Sequence, residues 1–308
     1  MLLIQKTEKN GVSAILLFGK GLIGSAISTE LDKYDYLEKV HLKFGWKNES
    51  EIENQLTDIF SKFIKIKIKL QSLTIIWSAG KAGFSATKAQ TDAELTFFKS
   101  SLDIFSKFCI KFSLQNITSF ILFSSAGGLH ESQTNVIDQN NIVQKRPYSI
   151  LKKNQEDCLL VYRKVFNRNI ILRVSTVYPI SNFSGRLGLI AILFLNSSKN
   201  RLSQFYGSEK TLRDYISDED IGKYIVKLIE SNNIDLPEIN YLISGKPTSI
   251  FEIKNMIEKI INRKIFVQYK LEVTNSENIS FSPSLGSKGL EVSNLYTNLC
   301  RIHQNMFY

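Results

Sequence analysis

Histidine and cysteine are scarce in this 308-residue chain, with three of each. The cysteines, Cys109, Cys158 and Cys300, stand far apart. They make neither a zinc-ligand spacing nor a disulfide framework, as expected of a chain kept in a reducing compartment. With His41, His130 and His303 alone to draw on, neither a histidine metal site nor a Ser–His–Asp triad is expected. No apolar run approaches the roughly 18 uncharged residues of a membrane span. The opening MLLIQKTEKNG lacks the apolar core and cleavage site of a secretory signal, so a cytoplasmic location without a membrane partner is expected. Low-complexity linkers and internal repeats are missing as well. So is a basic tail: the net charge is +10, but its lysines are scattered. The densest group, Lys62, Lys65, Lys67 and Lys69, is the solvated end of a helix on the simplest reading. Without an aromatic RNA-binding signature, no nucleic-acid partner is expected. A positive field of this kind would instead help to capture an anionic nucleotide.

What is present is globular: 43% apolar and 22% charged residues, over a length that suits one large domain or a large and a small one. Apolar β runs occur at SAILLF (13–18), VHLKF (40–44), LTIIWSA (73–79), TSFILFSS (118–125) and NIILRVS (169–175). Between them Ile52, Leu56, Ile59, Phe60 and Phe63 recur at helical spacing, as do Leu95, Phe98, Leu102 and Phe105. Alternation of this kind predicts a parallel sheet, whose buried strands are continuously apolar. No further strand is evident between residues 45 and 70. Beyond residue 180 the pattern loosens. A helix is expected after Ser217, and another after the capping box Ser249–Glu252, followed by the strand-like KIFVQY.

The first β run leads into Gly19-Lys20-Gly21-Leu22-Ile23-Gly24 and then a helical pattern. That is GxGxxG between a strand and a helix, where the glycines let a dinucleotide pyrophosphate approach the backbone and the helix N-terminus. The fold class is therefore α/β. A Rossmann-type, doubly wound parallel sheet is expected over 1–180. A small C-terminal α/β substrate lobe is expected over 181–308, with a stretch near 200–230 returning to the first domain. An NAD ribose would call for a carboxylate about 20 residues on. Here Lys43 and Lys47 follow the second β run, and no acid stands before Glu49. The two lysines are either plain surface residues or acceptors of an NADP 2′-phosphate. NAD or NADP is thus the expected cofactor, with NADP weakly favoured.

Further on, Pro147-Tyr148-Ser149-Ile150-Leu151-Lys152 opens another helical pattern, after WSAG (77–80) and after a strand ending in Ser124-Ser125. In this order the chain resembles the extended short-chain dehydrogenase/reductases, the NAD-dependent epimerase/dehydratase group that acts on nucleotide sugars. GLIGSAI, FSSAGGLHE, RPYSILK, ILRVSTVYP, LRDYISDEDIGKYIVKLI and YLISGKPTSIFEI are similar, in sequence order, to six of the family's motifs. The resemblance implies that Tyr148 is the general acid/base at a sugar oxygen. It implies that Lys152 favours the phenolate and holds the nicotinamide ribose, and that Ser125 polarises the reacting oxygen. Gly19, Gly21, Leu22, Ile23, Gly24, Lys43, Ser78, Ala79 and Gly80, together with Tyr148 and Lys152, would line the cofactor. Arg213 would grip the diphosphate of a nucleoside-diphosphate sugar, or else serve a surface salt bridge.

Several residues depart from the family pattern. The phosphate loop is one residue shorter than GxxGxxG. The family's substrate-bonding Ser or Thr aligns with Ala126, so Ser125 or Ser124 takes over the role or Tyr148 works alone. Thr176 and Pro179 replace a usual asparagine and glycine. Gly127 and Gly128 stand where a dehydratase carries Asp-Glu, which disfavours dehydration. The expected reaction is 4-keto reduction or 4-epimerisation. The alternative is a non-catalytic nucleotide-binding regulator or scaffold. The resemblance also implies a homodimer, formed through the helices that bear Tyr148.

Overall fold

A computed structural model describes residues 2–8, 11–34, 38–41, 50, 53–54, 57–58, 61, 70–183, 187–231, 236–270 and 277–308. In chain order its first part comprises β1 (Leu2–Glu8), β2 (Gly11–Phe18), α1 (Leu22–Leu31), β3 (Glu38–His41), β4 (Leu70–Trp77), α2 (Lys88–Lys111), β5 (Thr118–Ser125), α3 (Pro147–Val161) and β6 (Arg168–Val174). There follow β7 (Thr176–Tyr178), α4 (Leu189–Ser198), β8 (Ser203–Tyr206), β9 (Leu212–Ser217), α5 (Asp218–Glu230) and β10 (Ile239–Leu242). The last elements are β11 (Pro247–Ser249), α6 (Ile250–Ile261), β12 (Val267–Lys270) and α7 (Leu295–Phe307).

The main sheet runs β10-β6-β5-β4-β2-β1-β3, and its first five strands are parallel. They are buried on both faces. Ala14, Leu16 and Phe18 of β2 pack with Phe98, Leu102 and Phe105 of α2. The alternate residues Ile15 and Leu17 pack with Ile27 and Leu31 of α1 and Ile221 and Ile225 of α5. That double burial is why the strands read as unbroken apolar runs. The Ser249 cap is also present: its Oγ accepts from Glu252 N at 3.1 Å, and Glu252 Oε2 accepts from Ser249 N at 2.7 Å.

One strand departs from a purely parallel sheet. β1 pairs antiparallel with both β2 and β3. It is inserted between the two strands that the phosphate-loop reading places side by side. Beyond Leu2–Ile4 the sequence there carries no strand signal. At roughly 4.8 Å per strand, β3 sits about twice that distance from β2. Lys43 and Lys47, the helical positions Ile52, Leu56, Ile59, Phe60 and Phe63, and the lysines at 62, 65, 67 and 69 lie outside the described residues.

After β6 the chain builds a lobe from a β11-β9-β7 sheet, a β12-β8 pair and helices α4, α6 and α7. It has its own core, in which Phe205 and Tyr215 meet Ile253, Ile257, Leu299 and Ile302. α5 (Asp218–Glu230) and β10 (Ile239–Leu242) pack with the main sheet, whereas β8 and β9 pair within the lobe.

Candidate active site

The glycine loop lies at the carboxyl ends of β2 and β4, the crevice where doubly wound sheets bind ligands. Gly19 has φ +99°, and a Cβ there would come within 2.6 Å of the Ser78 carbonyl. A Cβ on Gly24 would strike the Gly19 carbonyl oxygen at 1.9 Å. Only glycine fits either place. Ser78 braces the loop, its Oγ donating to the Phe18 carbonyl at 2.8 Å. Gly21, by contrast, faces open space. As N-cap of α1 it offers no side-chain cap, and the first turn carries no acid. Free N–H groups at a helix start, reached across a glycine without a side chain, fit a pyrophosphate.

Across the sheet edge, Tyr148 stands on the first turn of α3, with Lys152 one turn on. The Lys152 ammonium lies 5.8 Å from the centre of the tyrosine ring. It is buried, donating to the Phe123 carbonyl (3.3 Å) and to Gln155 Oε1 (3.1 Å). Ser125 ends β5 and caps the helical turn that follows, its Oγ accepting from Gly128 N at 3.0 Å. Gly128 is the spacer between them: a Cβ there would lie 3.1 Å from the Tyr148 ring and 3.2 Å from Ser125 Oγ. A side chain there would require the Tyr148 ring or Ser125 to shift by a few tenths of an ångström.

Ser125, Gly127 and Tyr148 line a cavity of about 520 Å³ whose other walls carry Thr176, Tyr206 and Arg213. Arg213 reaches it from β9, with Nη1 donating to the Leu212 carbonyl at 2.9 Å and to the Glu277 carbonyl. Burial pushes this guanidinium below its ordinary pKa, and like-charged Arg146 adds to the effect. Sequence reasoning missed Phe84, whose ring is 5.7 Å from that of Tyr148 and has the Arg146 guanidinium 5.0 Å from its centre. Arg146 Nε is fixed by Glu131, at 2.8 Å from each carboxylate oxygen. Its place just before the PY pair was the only signal for it.

Two residues named from the sequence, Ser124 and Ala126, do not line this cavity, and neither does His130. Ser124 faces away from the cavity and donates to Glu156 Oε1 at 2.5 Å; consecutive strand residues point to opposite faces. Ala126 has no exposed surface and packs with Tyr241, Ile243 and Phe281. His130 is wholly buried against the Tyr241 hydroxyl (2.6 Å) and Gln133 Oε1 (2.8 Å). Burial lowers its pKa. Among the described residues no cluster of His, Cys, Asp or Glu suits a metal ion, and no helix is long and apolar enough to cross a membrane.

The sequence model of the NAD dependent epimerase/dehydratase family matches residues 15–243. No curated protein matches the chain. Among solved structures, UDP-glucose 4-epimerase from Thermus thermophilus in complex with NAD is 16% identical. The likeness covers 94% of this chain and 97% of that one, with a TM-score of 0.74. UDP-glucose 4-epimerase from Thermotoga maritima with UDP-glucose is 17% identical over 94% and 97%, with a TM-score of 0.72. GDP-mannoheptose C4 reductase from Campylobacter jejuni with NADP bound is 14% identical over 97% and 99%, at 0.70.

Proposed function

Because this chain belongs to the NAD-dependent epimerase/dehydratase family, we propose that it binds NAD or NADP and moves hydride at C4 of a nucleoside-diphosphate sugar. The reaction is 4-keto reduction or 4-epimerisation. One observation carries this reading: Tyr148, Ser125 and Arg213 line a single cavity at the sheet edge that also carries the glycine loop. A bound nicotinamide would supply or accept the hydride. The chain's own residues do the rest. Gly19, Gly21, Gly24 and the start of α1 hold the pyrophosphate, flanked by Ser78, Ala79 and Gly80. The Tyr148 hydroxyl gives or takes the proton at the sugar oxygen, and the Lys152 ammonium favours its charged form. Ser125 accepts from Gly128 and so keeps its own proton to donate to that oxygen. A homodimer through α3, whose Ile150 and Val161 are exposed, completes the reading. Native mass spectrometry of the purified protein tests the cofactor directly: NAD or NADP should copurify, and apo protein that binds neither would end the proposal.

Arg213 should hold the substrate diphosphate. Charge-assisted bonds of this kind contribute roughly 1.5–3 kcal/mol. Arg213→Ala should therefore weaken UDP or dTDP binding about tenfold or more and leave NAD(P) binding nearly unchanged. Wild-type protein that binds no nucleoside diphosphate would remove the sugar-nucleotide assignment as well.

NADP(H) should bind at least as well as NAD(H), since no acid follows β3 before Glu49 and β1 holds β3 one strand away from the phosphate loop. Isothermal titration with both cofactors checks this. A tenfold preference for NAD, about 1.4 kcal/mol, contradicts it.

A further inference from the structure

Gln155 lies one turn beyond Lys152 on α3 and is completely buried. Its Oε1 accepts from the Lys152 ammonium at 3.1 Å. Turned that way, its Nε2 has no hydrogen-bond partner, an arrangement that costs stability. Flipping the amide would set two donors against each other. The orphaned amino group is thus the consequence of holding the lysine.

The ionisable groups around the pair are Arg146 just before α3 and Glu156 on it, Glu131 and His130 after β5, Arg173 on β6, Arg213 on β9 and Tyr241 on β10. Glu156 is taken by Arg173 and Ser124, and Glu131 by Arg146. The two protein acceptors left to Lys152 are therefore neutral, the Phe123 carbonyl and the Gln155 amide. They use two of its three N–H donors and leave one for a ligand.

We propose that Gln155 is a positioning residue: it holds Lys152 beside Tyr148 through a neutral acceptor, so that the lysine's charge stays uncancelled. The inference rests on the roles proposed above for Tyr148 and Lys152. A glutamate would grip the ammonium as firmly but cancel its field at the tyrosine. A leucine would remove both the grip and the orphaned donor.

Two variants separate these effects. In Gln155→Glu the phenolate absorbance assigned to Tyr148, by subtraction of Tyr148→Phe, should appear one to two pH units higher than in the wild type. That is roughly the effect of one cancelled charge about 6 Å away at an effective dielectric near 20. Gln155→Leu should fold with undiminished thermal stability and bind NADH at least threefold more weakly, because the lysine is no longer held. An unmoved phenolate titration in the glutamate variant, or wild-type NADH affinity in the leucine variant, overturns the proposal. If the glutamate variant does not fold, the leucine variant decides by its NADH affinity. For a wild type that binds only NADPH the same threefold test is read with NADPH; one that binds neither would instead sink the proposed function, and the phenolate titration would still judge Gln155.

Discussion

Tyr148→Phe is expected to fold, to bind cofactor as the wild type does, and to lose 100- to 10,000-fold of turnover, the range typical of general acid–base catalysis. The substitution keeps the ring that packs between Phe84 and Gly128 and removes only the hydroxyl. A free tyrosine ionises near pH 10, too high for a base at neutrality, so a nearby cation is needed to favour the phenolate. On the proposed reading that cation is the Lys152 ammonium, 5.8 Å from the ring centre and one helical turn on. Lys152→Met should therefore lose activity and weaken cofactor binding together, where Tyr148→Phe loses activity alone. Steady-state kinetics with an accepted nucleotide sugar, paired with cofactor titration, distinguish the two. A Tyr148→Phe enzyme that keeps more than about a tenth of wild-type turnover would return the proton to Ser125 or to water. It would not return it to His130, which is sealed beneath the cavity by Tyr241 and Phe281.

The glycine loop was legible because its backbone geometry dictates residue type. Positive φ at Gly19 and the 1.9 Å approach at Gly24 leave glycine as the only solution, and the flanking strand and helix announce themselves by period. The capping box at Ser249 was legible for the same reason: one local hydrogen-bond pattern fixes both residues. Tyr148 and Lys152 were found through order in the chain, since four-residue spacing alone is common.

What was not legible depends on partners far away in sequence. Ser124 and Ser125 are alike as letters, and only the register of β5 against β6 sends one hydroxyl to Glu156 and the other to the cavity. Phe84 sits in a connection with no periodicity, and its role comes from Arg146, 62 residues on. β1 was hidden because a strand that pairs on both edges needs no strong apolar signal of its own once its neighbours supply the ladder.

Removing the Glu156 carboxylate is expected to cost more stability than any other single change among the groups around the site. Arg173 is 1% exposed. Its Nε and Nη2 donate to the two Glu156 oxygens at 3.0 and 2.7 Å, and its Nη1 donates to the Gln139 carbonyl and the Tyr241 hydroxyl, both at 2.6 Å. Tyr241 accepts that bond and can donate its own proton to His130 Nε2, so the network runs unbroken from Ser124 to Gln133. Glu156→Ala leaves the guanidinium buried beside neutral groups only. Breaking one partner of a buried pair costs about 3–5 kcal/mol, which for a chain of this size lowers Tm by on the order of 10 °C. Arg173→Met should cost a similar amount by stranding the carboxylate. The double variant Glu156→Met/Arg173→Leu should recover much of the loss, because apolar residues of similar volume often replace a buried ion pair without penalty. Thermal unfolding of the three variants checks the set. A Glu156→Ala protein as stable as the wild type, or a double variant worse than either single one, would show that the pair does not organise the core behind α3.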